Sequence, residues 1–359
     1  VIDFRYHLVS IIAVFLALTV GIVLGTTMLQ DPLLDTLRSE TAELRGQTED
    51  LRVERDTADR VNAGADQMAE ALSADMLEGR LAGLEVVLVL SPGADAETAD
   101  SLTSRVEQAG GSVAGRVEIA EELLDDDNTD FAGETARQVL ADPDSLAGLD
   151  PYEKVGAAVG RALAAPEEDT GGAGIDEVDT DEAEEAEGEP DGFDAEAALA
   201  AFADGGLLTV DGSPAASADA AVVLAPAAGY SPSGDDRKAA NTALAALVSS
   251  LHGELGGLVL AGDVPSARGD GLLALARAGE PGFATADLSG RPMGDVVAVL
   301  ALAEDMDGAG GAYGIGDGVG GFLPDPLPGP REEPGGDDED DGAAVKASDG
   351  PRDAARGEE

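Results

Sequence analysis

The sequence predicts an α/β protein: an N-terminal transmembrane helix and coiled coil followed by a mostly parallel α/β domain. Three observations carry that prediction. Residues 8–29 form a 22-residue run without fixed charge. Leucines then recur every seven residues from Leu37. Beyond Leu84, short apolar runs ended by Gly or Pro alternate with segments of helical spacing, the pattern of a sheet built from strand–helix–strand units.

The uncharged stretch HLVSIIAVFLALTVGIVLGTTMLQ (7–30) stands between Arg5 and Asp31. From Leu8 to Leu29 only Ser10, Thr19, Thr26 and Thr27 interrupt it, and their hydroxyls can bond back to helix carbonyls. As a helix it reaches roughly 33 Å, enough for the hydrocarbon of a bilayer. A secretion signal has a shorter apolar core and then a small-residue cleavage site. Here TTMLQDPLLDTL follows, without an A-x-A pattern, so residues 1–30 are expected to stay as an anchor. A buried helix of a soluble protein is the weaker alternative, because the chain passes at once into polar sequence.

Asp3 and Arg5 precede the run, and Asp31, Asp35, Arg38, Glu40 and Glu43 follow it. That charge bias predicts a single-pass cell-membrane protein, N-terminus cytoplasmic and bulk extracytoplasmic. A first residue of Val, read as a GTG start, points to a bacterial or archaeal gene. Within the run Ala13, Ala17, Gly21 and Gly25 recur every four residues, a small-residue stripe suited to helix pairing.

Residues 31–80 read as a long helix with Pro32 near its start, a tolerated place. Leu37, Leu44 and Leu51 recur every seven, continued in register by Ala58, Ala65 and Leu72. The companion row is Leu34, Thr41, Thr48, Arg55, Asn62, Ala69 and Met76. One apolar row beside one mostly polar row predicts a coiled coil of modest strength, with alternating charges on its flanks. Continuity with the small-residue stripe favours a parallel dimer over a lone helix folded back on its own domain.

Composition excludes several functions. The 359 residues carry a formal charge of -52, from 73 acidic against 21 basic side chains. Such a surface repels nucleic acid. With lysine only at Lys154, Lys238 and Lys346, and much Ala and Gly, it suggests a halophilic source with a GC-rich genome, where salt screens self-repulsion. The absence of cysteine removes disulfides, thiolate metal sites and Cys nucleophiles. The absence of Trp and an aromatic content of 3% argue against the girdles of a transmembrane β-barrel.

The domain is expected over 84–323. LEVVLVLSPG reads as a buried strand, ETADSLTSRVEQAG as a helix, GSVAGRVEI as a second strand, and 121–163 as short helices. The acidic, glycine-punctuated tract 166–192 has little to bury and is expected to be disordered. Order resumes with DAEAALAAFADGG, the short strand LLTV, the strand AAVVLAPA, and the helix DDRKAANTALAALVSSLHGELG. GGLVLAGD is a further strand, SARGDGLLALARAG a helix, FATADLS a short extended piece, and DVVAVLALAEDM a helix. The Pro-, Gly- and Asp-rich tail 324–359 is expected to stay unfolded.

Candidate chemistry is sparse. His7, His252, Met28, Met68, Met76, Met293 and Met306 are scattered along the chain, whereas copper(I) wants clustered soft ligands. No Asp-rich loop has EF-hand spacing. No metal site and no cofactor are therefore identified. In a parallel sheet ligands gather at the carboxyl ends of the strands, so GDVPSARGDG (262–271) is the best binding candidate. Its residues are Gly262, Asp263, Ser266 as a cap for the next helix, and Arg268 as an anion contact. Ser266 with His252 lacks an orienting acid, and YGIGDGVGG (313–321) lacks the GK[ST] ending of a phosphate loop. No catalytic residue is assigned, and the chain is expected not to be an enzyme.

FRYHLVSIIAVFLALTVGIVLGTTML, the heptads after it, and the blocks VLAGDVPSARGDGLLALARAG and AYGIGDGVGGFLP resemble the actinobacterial MctB family, over residues 2–110 and 195–323. That family is named for a mycobacterial copper transport protein, and a corynebacterial relative is known as a septation factor. The segment ATADLSGRPMGDVVAVLALA departs from the Asp-Asn-containing stretch usual in the family. The resemblance implies copper as cargo and, in mycobacteria, the outer membrane. It equally implies a septal or envelope organiser, with FRYH (4–7) open to a cytosolic partner and the domain open to an envelope partner. A single helix lines no channel unless it oligomerises. The organiser is therefore the first expectation, copper transport the alternative and an envelope enzyme the third.

Overall fold

A computed structural model describes residues 2–140, 146–166, 193–227 and 236–331. The acidic tract from 167 to 192 and the tail from 332 lie outside the described residues. The chain divides into two units, 1–68 and 69–359.

The first unit is helical over its described residues. Helix α1 (Ile2–Leu77) is continuous over 76 residues. Pro32, expected near the start of a second helix, lies inside this one; proline forfeits one ladder bond, and long helix on both sides carries the loss. Phe4–Thr26, at a mean hydropathy of 2.8 and with none of it buried in the protein, is long and apolar enough to cross a membrane. Its threonines bond back as expected, Thr19 Oγ1 to Phe15 O at 2.7 Å and Thr26 Oγ1 to Ile22 O at 2.9 Å. Ala13, Ala17, Gly21 and Gly25 are exposed. Leu37, Leu44, Leu51 and Leu72 are exposed by 49%, 62%, 64% and 41%, so the heptad row is unoccupied in the single chain. Ala58 is exposed and Ala65 half-buried, while the Leu34 side chain lies outside the described ones.

The second unit is built on a seven-stranded sheet of order β3-β2-β1-β4-β5-β6-β7. Its strands are β1 (Glu85–Leu90), β2 (Ser112–Ile119), β3 (Leu208–Gly212), β4 (Ala220–Leu224), β5 (Gly257–Ala261), β6 (Ala284–Ala286) and β7 (Ala312–Tyr313). All neighbours pair in parallel except β3, which runs antiparallel on the edge beside β2. The helices are α2 (Ala96–Gln108), α3 (Thr129–Val139), α4 (Pro151–Leu163), α5 (Ala195–Asp204), α6 (Arg237–His252), α7 (Leu272–Ala278) and α8 (Pro292–Asp305).

Both faces of the sheet are covered, which is why its central strands read as unbroken apolar runs. Val87, Val89, Val223 and Leu260 pack with α3 to α7. Val86, Leu88, Val222 and Val259 pack with α2, α8, Leu77 at the end of α1 and Leu81 in the turn after it.

Local signals fix the helix starts. Asp150 accepts from Tyr152 N at 2.8 Å and Glu153 N at 2.9 Å, while Glu153 accepts from Asp150 N at 2.8 Å, a capping box with Pro151 at the first position. The following glycines bring α4 against α6: a Cβ on Gly156 would stand 2.1 Å from Leu247 O.

Residues 324–331, expected to stay unfolded, return to the end of α1. Arg331 N donates to Gly79 O at 2.8 Å, and the Arg80 guanidinium donates to Pro328 O. Their prolines have less freedom to lose on ordering than other residues.

Gly156→Ala is expected to destabilise the α/β unit by about 1–3 kcal/mol in urea denaturation despite the better helix propensity of alanine. Gly46→Ala, whose Cβ would meet nothing within 4 Å, should leave that unit unchanged.

Candidate functional site

Doubly wound sheets hold ligands outside the carboxyl ends of their strands, where successive crossovers diverge. Here that point lies between β1 and β4. The loops leaving these strands and β5 and β6 are tied together. Ser91 N donates to Leu224 O and Ala227 N to Gly93 O, both at 3.0 Å. Gly262 N donates to Ala286 O and Ser289 N to Gly262 O, both at 2.9 Å. A Cβ on Gly290 would lie 3.0 Å from Thr98 Oγ1.

A free helix N-terminus at such an edge is an anion site. At this edge the chain supplies the anions itself. Asp95 caps α2, accepting from Thr98 N and Thr98 Oγ1 at 2.8 Å each. The hydroxyl bond first, and then the amide bond, hold its carboxyl below the usual range. Asp236 caps α6 through Ala239 N at 3.0 Å. Buried Asp295, in the first turn of α8, accepts from Gly290 N at 3.0 Å and Ser101 Oγ at 2.6 Å.

The predicted loop 262–271 is locked in the same manner. Asp263 caps the 3-10 turn Val264–Ala267, accepting from Ser266 N at 3.0 Å, and buried Ser266 donates its hydroxyl to Asp263 O at 2.8 Å. Ser266 is therefore no cap for α7, whose N-cap is Gly271 without a side-chain bond. Gly262 is required because a Cβ there would stand 2.5 Å from Ser266 Oγ. Asn241 Nδ2 ties the loop to α6 through Asp270 O at 2.8 Å. Arg268 alone of the four points outward, exposed.

The glycine-rich segment after β7 has an unexpected occupant. Its amides wrap Asp287, fully buried: Ile315 N donates to Oδ1 at 2.8 Å and Gly316 N to Oδ2 at 2.9 Å. Arg277 of α7 completes the shell, giving Nη1 to Asp287 Oδ2 at 2.7 Å, Nε to Thr285 Oγ1 at 2.9 Å and Nη2 to Tyr313 O at 3.0 Å. Gly314, at φ +123°, is obligatory, since a Cβ would lie 2.1 Å from Asp287 Oδ1. The amides that resemble a phosphate cradle hold a carboxylate of the chain. Nearby, burial first and the bond to Glu304 second push the Tyr313 hydroxyl well above its usual range.

At the opposite edge His252 is the last residue of α6. Its Nε2 is 3.5 Å from Asp305 Oδ2, which also accepts from Leu258 N at 2.8 Å. Its ring is tilted 55° against Phe283, with centroids 5.6 Å apart. Met306 instead packs with the layer of α2 and α8. Among the described residues no group of three or more His, Cys, Asp or Glu side chains is placed to hold a metal ion.

Sequence reasoning missed Arg277, Asp287 and Asp295. An arginine inside the apolar helix LLALARA was the available signal, because such a residue needs a buried partner.

A family model described as "Copper transport outer membrane protein, MctB" matches residues 1–324. The chain belongs to the MctB family. The copper transporter MctB of Mycobacterium bovis is 35% identical over 124 residues, 34% of this chain and 40% of the relative. The proteins of that name from Mycobacterium tuberculosis match to the same extent. That of Mycobacterium leprae is 33% identical over 129 residues, 36% of this chain and 41% of its own. The chain thus spans about two-fifths of the length of the curated relatives it matches. Copper, named for these relatives, meets no assembled ligand set among the described His, Cys, Asp and Glu side chains of this MctB-family chain.

Asp287→Asn is expected to cost about 3–5 kcal/mol in chemical denaturation, because it strands the buried Arg277 charge. Amide exchange at Ile315 and Gly316 should quicken with it. Asp95→Ala should cost about 1 kcal/mol near neutral pH. The folded carboxyl titrates below its unfolded value of about 3.9. The difference between variant and parent should therefore be full above that value and fade as pH falls through the lower folded one. A pH series of unfolding curves checks it.

Proposed function

We propose that this MctB-family chain is a non-enzymatic, single-pass membrane-anchored protein of the cell envelope that organises envelope or septal partners. Its N-terminus is cytoplasmic, with Phe4–His7 open to a cytosolic partner, and its α/β unit is extracytoplasmic. The observation that carries this reading is the unoccupied heptad row of Leu37, Leu44, Leu51 and Leu72, on a helix continuous with a candidate membrane span. An apolar row repeated at seven residues calls for a second helix, and residues 31–80 meet that need as a parallel coiled-coil dimer. Ala13, Ala17, Gly21 and Gly25 extend the pairing into the membrane.

The filled carboxyl edge supports a non-catalytic role. Gly262, Asp263 and Ser266 hold a loop that presents Arg268 as the contact for an envelope partner. The names of the relatives favour a second reading, copper transport, in which assembled membrane helices supply the path.

The deciding experiment is a copper(I) titration of the full-length chain in detergent, with its mass measured in the same sample. The expected result is a protein mass twice the 36.0 kDa of one chain and no copper above that bound diffusely by carboxylates. Stoichiometric, tight copper would replace the organiser with the transport reading.

A further inference from the structure

We infer that the charges flanking the leucine row select a second copy of this same chain, aligned parallel and in register, through Glu40 and Gln47 on one helix and Arg45 and Arg52 on the other. The inference rests on the coiled-coil reading above and adds what chooses the partner and its direction.

With Leu37, Leu44 and Leu51 at one seam position and Thr41, Thr48 and Arg55 at the other, the two flanking positions follow by spacing. One flank carries Arg38, Arg45 and Arg52, and the other carries Glu40, Gln47 and Glu54. In a parallel pair these flanks face each other across the seam. Glu40 then meets Arg45 of the second copy, and Gln47 meets Arg52. In an antiparallel pair each flank faces itself, which sets arginine against arginine and glutamate against glutamate. The charge pattern therefore complements a parallel copy and opposes an antiparallel one.

The single chain leaves these groups available. Neither Glu40 nor Arg45 has an ion-pair partner among the described residues; Gln47 Nε2 donates to Glu43 Oε1 of its own helix only at 3.4 Å, and Arg52 reaches Glu49 only at 3.7 Å, all on exposed side chains. The third cross-pair, Glu54 with Asp59, is like-signed. Asp59, however, lies 3.7 Å from Arg55 of its own helix, which offsets part of its charge.

Register follows from the polar row. In register, Asn62 stands opposite Asn62; a slip of one heptad sets it against Ala69 or Arg55. A single asparagine at a core position is a known means of fixing register and two-strandedness. Further along, Val61 and Met68 are exposed by 66% and 64% on the flank that began with Glu40. There the seam widens into apolar contact, and charge selection is confined to the half nearer the candidate span.

The chain has no cysteine, so one introduced thiol reports one position. Full-length Thr48→Cys in detergent micelles is expected to oxidise almost completely to a disulfide-linked dimer, since core positions of a parallel in-register pair lie within disulfide reach. Arg45→Glu should weaken self-association roughly ten-fold, by turning two symmetric attractions into repulsions, with unchanged helix content by circular dichroism. The exchange Glu40→Arg with Arg45→Glu should restore it. A cross-linked Thr48→Cys dimer with indifference to both charge variants would overturn the charge selection and leave the dimer standing. A monomeric chain without cross-link would overturn the coiled-coil reading and this inference with it.

Discussion

Asp287 holds a carboxylate where no solvent reaches it, and much of the α/β unit is arranged to make that tolerable. An isolated ion in such a place costs several kcal/mol, so both its oxygens need donors. Arg277 supplies charge, and the amides of Ile315 and Gly316 supply the remaining bonds. The consequences spread outward. Arg277 must stay on α7 at a fixed height, because its Nε also bonds Thr285, its Nη2 the carbonyl of Tyr313, and its Nη1 the carbonyl of Asp317 as well as Asp287. The segment after β7 must be glycine where it closes on the carboxylate. One buried ion thus joins β6, α7, β7 and the closing loop.

That arrangement changes what the carboxyl edge can do. Glycine-rich amides and helix N-termini attract anions because their N–H groups lack partners. Asp95, Asp236, Asp263, Asp287 and Asp295 have taken those partners from within the chain. In a protein of charge -52 internal carboxylates are abundant competitors for such donors. An external phosphate would have to displace a tethered group of like charge.

What could be read from sequence divides along the range of the interaction. The membrane-length run, the heptads and the strands β1, β4 and β5 announce themselves through local periodicity or continuous apolar character. The direction of β3 does not, because Leu208–Gly212 pairs with β2 across an insertion, and only the return path from α5 makes it antiparallel. The loop 262–271 was recognisable from its place after a strand, but its internal bonds were not, so a cap was expected where Ser266 turns back on Asp263. Arg277 and Asp287 are ten residues apart and follow no motif spacing. The order of 324–331 depends on Gly79 and Arg80, some 250 residues away in sequence. Short-range chemistry was legible; pairings made by the fold were not.

The two units meet their solvent by opposite means. The α/β unit turns its apolar side chains inward on both faces of a sheet and satisfies its buried ions itself. The N-terminal unit turns its described apolar side chains outward: Phe4–Thr26 and the row Leu37, Leu44 and Leu51 expose large apolar side chains along the same helix. An isolated helix of this kind is held together only by its own ladder, and helical stability in proteins comes mostly from packing an apolar face. Lipid can cover the first stretch but not the second, which is flanked by charges on both sides. On the proposed reading, what covers the second stretch is a surface that is apolar along a narrow row and charged beside it. Another copy of the same helix has those properties by construction.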